Sequence, residues 1–202
     1  VVSALGKVTN TGNAKVELKD THTLTELQTI NNATTGSITL ASDNIKLIGT
    51  SKELFEALHG ITYKGAITIT DADNVSIAAS QIKAIADATN QTPLIQNRIV
   101  IKGNTGDVQA ALGAVTHNQP HVDLDSDHNL AQLRAINNAT AGTITFHKNT
   151  IPLKGLAAHL TDALTGVTGY KGNVEFDDDH NITQLQTINN ATDGAITFKN
   201  TA

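Results

Sequence analysis

The chain has no cysteine, no methionine and no tryptophan, and its 202 residues include only two tyrosines and four phenylalanines. Without cysteine there is no disulfide and no thiolate, so cross-links, cysteine-based metal fingers and thiol nucleophiles are excluded within this sequence. Scarce aromatics leave the interior to Leu, Ile, Val and Ala, a palette suited to thin layers rather than one thick globule. No run of 18 apolar residues occurs, so no segment reads as a membrane span. The formal charge is a mild −5 and no basic stripe exists, which argues against nucleic acid as a partner. No signal peptide is visible and residue 1 is Val, so a mature or excised portion of something longer is expected.

What the chain has instead is repetition. Leu27-Gln-Thr-Ile-Asn-Asn-Ala-Thr34 recurs as Leu133-Arg-Ala-Ile-Asn-Asn-Ala-Thr140 and as Leu185-Gln-Thr-Ile-Asn-Asn-Ala-Thr192, each followed two residues later by Gly36, Gly142 or Gly194. The last two copies begin 52 residues apart and the first two 106 apart, so a fourth copy belongs near residue 80. It is there in degenerate form, Ile82-Lys-Ala-Ile-Ala-Asp-Ala-Thr89. A period of this length marks a repeat array, in which each unit leans on its neighbours. The units expected are 16–65, 66–120 and 121–172, with partial units at 1–15 and 173–202. Ser3 to Asn10 matches Ala110 to His117, so the array is expected to start and end in mid-unit as a segment of a longer one, with a complete protein with frayed ends as the alternative.

Each unit opens on alternating apolar residues, Val16/Leu18, Ile67/Ile69, Val122/Leu124 or Val174/Phe176, which predict a strand. An acidic turn follows, then a short helix with Leu24, Leu27 and Ile30, or their counterparts, along one side. Thr23/Glu26, Asn129/Gln132 and Asn181/Gln184 have the spacing of capping boxes at its start. The glycine after Asn-Asn-Ala-Thr suits a left-handed close. Further strands at Ser37–Leu40 with Ile45–Leu47, at Ile99–Ile101, and at Thr143–Phe146 with Ile151–Leu153 lead to a second helix. That helix runs through Leu54, Phe55 and Leu58, through Val108, Ala111 and Leu112, or through Leu156, Leu160 and Leu164, with Gly60, Gly113 and Gly166 near the ends. The fold class expected is α/β: an elongated, solenoid-like array of strand–helix coils with parallel strands. Tandem βαββα beads, with the second strand pair as a hairpin, are the alternative. Pro152 places its strand at a periphery.

The sharpest polar cluster is the acidic turn. Asp71 and Asp73, Asp125 and Asp127, and Asp177, Asp178 and Asp179 are candidate calcium ligands, since Ca²⁺ takes six to eight oxygens. The competing reading is a structural turn, where Asp and Asn satisfy helix N-terminal amides. The first copy, Asp20 to Thr23, has one carboxylate, and no copy has the EF-hand spacing. His22, His128 and His180 occupy equivalent positions and stacking would align them as a metal-binding or pH-sensitive row; a repeated surface residue is the commoner explanation. Asn32, Asn138 and Asn190, with Asn74, Asn90 and Asn181, fit the Asn-x-Ser/Thr glycosylation pattern, though helix-closing chemistry explains the first three as well. There is no G-x-S-x-G, no phosphate loop and no singular Ser/His/Asp set, and nearly every polar residue recurs. Repetition argues against an enzyme, whose site needs one asymmetric constellation. Only Asp177 to Asp179 approaches the unique carboxylates a polysaccharide-active enzyme would need.

Ile67-Thr-Ile-Thr-Asp71, followed by the stretch from Ala78 to Thr89, and Ala-Thr-x-Gly-x-Ile-Thr at 33–39, 139–145 and 191–197, resemble repeats of very long secreted bacterial surface proteins. Cyanobacterial hemolysin-like proteins, S-layer proteins and type I-secreted adhesins carry similar arrays. The resemblance implies an extracellular or cell-surface location and a packing or adhesive role, with calcium as the cofactor of many relatives. The glycine- and aspartate-rich calcium nonapeptides of those proteins are absent here. The expectation is a non-enzymatic structural segment of an S-layer, filament or matrix that associates with copies of itself, with a glycan-binding adhesin module as the alternative.

Overall fold

Short alternating runs bounded by Gly, Asn and Asp make short strands, and the intervening aliphatic stripes make short helices. The computed structural model describes residues 12–199. The match at Ser3 to Asn10 lies outside them, as does most of the partial unit expected at 1–15. The elements run β1 (Val16–Leu18), α1 (Leu24–Ala33), β2 (Ile38–Leu40), β3 (Leu47–Gly49), α2 (Ser51–Leu58), β4 (Ile67–Ile69), β5 (Ser76–Ala78) and α3 (Ala79–Asp87). They continue with β6 (Leu94–Ile95), β7 (Val100–Gly103), α4 (Thr105–Ala114), β8 (Thr116–His117), β9 (His121–Leu124) and α5 (Leu130–Ala139). The last are β10 (Ile144–Phe146), α6 (Ala157–Leu164) after β11 (Leu153–Gly155), β12 (Val174–Phe176), α7 (Ile182–Ala191) and β13 (Ile196–Phe198). The class is α/β, with seven helices among the described residues.

The chain divides into two compact units. The first takes in residues up to Arg98 with Ala114–Asn118; the second is Ile99–Gly113 with the residues from Gln119 onward. In the first, β1 pairs with β2, and β3, β4, β6 and β8 form a sheet in that order. Helix α2 packs between α1 and α3. In the second, β7, β9 and β10 pair in succession, as do β11, β12 and β13, and α6 packs between α5 and α7.

All these ladders are parallel. Val16 lies opposite Ile38, Leu47 opposite Ile67, Val122 opposite Ile144, and Val174 opposite Ile196. A parallel partner needs a crossover, and a helix supplies it each time. The hairpin of the bead layout is absent: β2 and β3 are not partners, and neither are β10 and β11. Each βαβ step takes about 22 residues strand to strand, as from Val174 to Ile196, so one 52-residue sequence period holds two helices. Pro152 is exposed and precedes β11, so it displaces no ladder bond.

The interior is aliphatic. Leu27, Ile30, Leu54, Leu58, Ile82 and Ile85 in the first unit and Leu133, Ile136, Leu160 and Leu164 in the second are buried beneath the strands' inward residues. Leu156, expected on the helix stripe, instead precedes α6 as its N-cap and is 44% exposed. All three expected capping boxes form, and Thr50/Glu53 makes a fourth at α2.

The glycines of the repeated stretch serve a different purpose from the one expected. Helices α1, α5 and α7 close on Thr34, Thr140 and Thr192 in extended conformation. Gly36, Gly142 and Gly194 sit against the backbone of the preceding step, where an added Cβ would lie 2.2 Å from Ala14 O, 2.0 Å from Pro120 O and 2.3 Å from Gly172 O. The left-handed close belongs to Gly60 after α2 and Gly166 after α6, at φ 73° and 76°.

Leu133 is fully buried and Leu185 only half-buried, although their octapeptides are nearly the same. Leu133→Ala is expected to lower the unfolding free energy by about 2–5 kcal/mol. Leu185→Ala should cost roughly 1 kcal/mol. Urea denaturation of the two variants measures the difference, and equal losses would contradict the burial described.

Candidate functional site

The repeated octapeptide and the acidic turn hold most of the recurring polar residues. Both turn out to join one βαβ step to another. Asn31 leaves the end of α1 and its Nδ2 donates to the carbonyls of Glu56, Ala57 and His59 at 2.9, 3.2 and 2.9 Å. Those are terminal carbonyls of α2, which have no partner inside their own helix. Asn137 repeats the contact from α5 to α6, donating to Asp162 O at 2.8 Å and Thr165 O at 2.9 Å. Three residues on, the threonine hydroxyl points the other way. Thr34 donates to Ala14 O (2.6 Å), Thr140 to Pro120 O (2.7 Å) and Thr192 to Gly172 O (2.8 Å). Each hydroxyl also accepts the N–H of the glycine two residues later. These threonines complete the Asn-x-Thr triplets of Asn32, Asn138 and Asn190, and all three are buried.

The acidic turns cap helices across steps. Asp71 accepts the N–H of Ser51 at 2.6 Å and its hydroxyl at 3.1 Å, at the start of α2. Asp178 accepts the N–H of Ala157 at 2.6 Å at the start of α6, and Ser126 does the same for Thr105 at 2.9 Å at the start of α4. A carboxylate on a helix N-terminal amide also meets the positive end of the helix dipole. Of the other calcium candidates, Asp73 accepts from Arg98 N at 2.7 Å, Asp127 pairs with Lys148 at 2.9 Å, and Asp177 lies 3.4 Å from Lys154. Asp125 and Asp179 are exposed, with no side-chain bond or ion pair among the described residues. Among those residues no three His, Cys, Asp or Glu side chains converge as metal ligands.

The histidines depart most from a surface reading. His22 is 7% exposed and His128 4%. Each lies beneath a tyrosine from the next step: His22 edge-on to Tyr63, and His128 tilted against Tyr170 and Phe146. His128 Nε2 and the Tyr170 hydroxyl are 2.7 Å apart, and the same hydroxyl reaches Ile151 O at 2.7 Å. A phenol has one proton. If it goes to the carbonyl, the imidazole must donate from Nε2, which leaves Nδ1 bare. His128 Nδ1 is indeed buried with no partner. Burial therefore lowers the pKa of His128 against a smaller opposing pull from Asp127, and lowers that of His22 against Glu26. Burial first, with Asp43 helping, pushes the Tyr63 phenol up to about 12; burial also raises that of Tyr170.

Neither tyrosine stood out as a site residue in the sequence. The available signal was Tyr-Lys-Gly at 63–65 and again at 170–172, 107 residues apart. His180, the third equivalent, is only half-buried and stacks at 4.6 Å on both Phe176 and Phe198.

Two matching grooves lie beside repeated octapeptides. One of about 560 Å³ in the second unit is lined by Asn137, Asn138, Thr140 and Gly142 with Asp162 and Thr165. Its counterpart of about 590 Å³ in the first has Asn31, Asn32, Thr34 and Gly36 with Glu56 and His59. No described helix is long and apolar enough to cross a membrane. No protein-family model, curated protein or solved structure matches the chain.

Two outcomes follow from these contacts. Asn137→Ala strips a donor from the α6 carbonyls and should destabilise by about 1–3 kcal/mol. The same change at its exposed neighbour Asn138 should stay within about 0.5 kcal/mol, read by urea denaturation. The second outcome concerns acid. The unfolded chain takes up histidine protons near pH 6.5, as model peptides do, while the buried imidazoles resist until lower pH. The histidine contribution is therefore complete above about pH 6.5 and declines as pH falls toward the depressed folded values. Melting temperature should drop across that window, and His128→Phe should flatten the drop; an unchanged slope in the variant would refute the assignment.

Proposed function

We propose that the chain is a non-enzymatic structural segment of a bacterial extracellular or cell-surface assembly such as an S-layer, filament or matrix. In this reading the βαβ steps continue as an α/β solenoid array that associates end to end with copies of itself. One observation carries it: the recurring polar side chains serve the joints between steps. Asn31 and Asn137 hold a neighbouring helix end, Thr34, Thr140 and Thr192 hold the backbone just ahead of a neighbouring strand, and Asp71 and Asp178 hold a helix start. Recurring polar groups used in this way form a joint rather than a constellation gathered around a reacting atom. Parallel strands that gain a partner at each step are the arrangement by which such arrays grow.

A second reading, a glycan-binding adhesin module, is favoured by the paired grooves. Each presents amides, hydroxyls and one carboxylate, the groups that bond sugar hydroxyls. Calcium would enter through Asp125, Asp127 and Asp177 to Asp179, all on exposed or half-exposed turns.

Light scattering and electron microscopy over a concentration series, with and without a calcium chelator, separate these readings. Concentration-dependent filaments or sheets are expected. A monodisperse monomer at every concentration, together with saturable binding on a glycan array, would replace the first reading with the second. Loss of order on chelation would place calcium in the assembly.

A further inference from the structure

The last step of the second unit leaves open what the equivalent steps cover. Leu24 and Leu130, at the starts of α1 and α5, lie under Gly49 and Gly155, whose added Cβ atoms would meet a leucine Cδ2 at 2.4 and 2.5 Å. Their counterpart on α7, Ile182, is 68% exposed. Phe146 lies against Tyr170, whereas Phe198 at the same place on β13 is 48% exposed. Arg134 of α5 pairs with Asp162 of α6, while Gln186 of α7 is exposed. Asn189, the counterpart of Asn31 and Asn137, is exposed and bonds nothing among the described residues. Strand β13 is the end strand of its sheet, as β2 and β10 are of theirs, so an occupant covers the α7 face without extending that ladder.

We infer that the face formed by α7, His180 and β13 is a docking site for one more strand–helix step of the kind that β11, α6 and Tyr170 form. The occupant is specified feature by feature. Its strand ends in glycine over Ile182. Its helix presents C-terminal carbonyls to Asn189. Its tyrosine stands over His180 and hydrogen-bonds the ring. The α5 face shows this combination on its own cover within the same unit, which makes the argument one of continuity. A sugar ring on the Phe198–His180 stack would satisfy the aromatics but would leave Ile182 uncovered. The inference rests on the array reading above and names what its growing end accepts.

The test lengthens the chain. Residues 148–173 are copied after Lys199 in place of 200–202, in the register that Phe146 and His147 share with Phe198 and Lys199. Hydrogen exchange at α7 amides is followed in the parent and lengthened chains, each with and without Asn189→Ala. Lengthening should slow α7 exchange about tenfold or more, and Asn189→Ala should reverse most of that slowing while leaving the parent unchanged. A protease-sensitive extension with unchanged α7 exchange would overturn the inference. So would an equal effect of Asn189→Ala in both chains, or a two-fold dimer of the parent that buries this face in both copies and that Ile182→Asp abolishes. If the parent never assembles but the extension docks, the function proposed above fails and this site stands.

Discussion

A helix of eight to ten residues, the range among the described residues, leaves about eight backbone groups without a partner at its ends and pairs only about eight to twelve inside. That constraint shapes the molecule more than its aliphatic core does. Leu, Ile and Val hold the layers together without direction. The unpaired amides and carbonyls at each helix end must be met by particular atoms at particular places. Part of that demand is met locally, by four capping boxes. The rest is met from the adjoining step, by Asp71, Ser126 and Asp178 at helix starts and by Asn31 and Asn137 at helix ends. A step torn from its neighbour would therefore lose hydrogen bonds as well as buried area.

The same division of labour accounts for a sequence period that spans two helices rather than one. Helices α1 and α5 give an amide away and close on a threonine whose hydroxyl reaches back. Helices α2 and α6 receive that amide and close on left-handed Gly60 and Gly166. Giver and receiver alternate, so the pattern returns only after two helices. The degenerate copy confirms the logic by exception. At α3, Ala86 stands where the giving asparagine should be, and no side chain caps its start.

The sequence made much of this legible and hid the rest for a physical reason. Capping boxes, strand alternation and the aliphatic stripe operate within four residues, and those readings agree with most of the elements, though the strands expected at Ile45–Leu47 and Ile151–Leu153 lie two residues further on and Leu156 falls outside its helix. The purposes of Asn31, His22 and Gly36 were not readable, because their partners lie 22 to 41 residues away in neighbouring steps. Gly36 could be read only as a helix terminator, whereas it is the backbone of Ala14 that leaves no room for a side chain. The histidines read as surface repeats because nothing nearby in the chain announces Tyr63 or Tyr170. The acidic turns, taken alone, looked like ion cages; seen against the preceding helix, Asp71 and Asp178 face amides.

The amide of Asn137 and the carbonyls of Asp162 and Thr165 differ in kind, one donating and the other accepting. A face that gives does not complement its own duplicate: related by a two-fold axis, two such faces would set asparagine against asparagine, and although the carboxamides could bond each other, both sets of helix-end carbonyls would stay bare. Contacts of this type are heterologous by chemistry as well as by shape, so they carry a polarity along the chain. Any lattice or fibre grown through them inherits a front and a back.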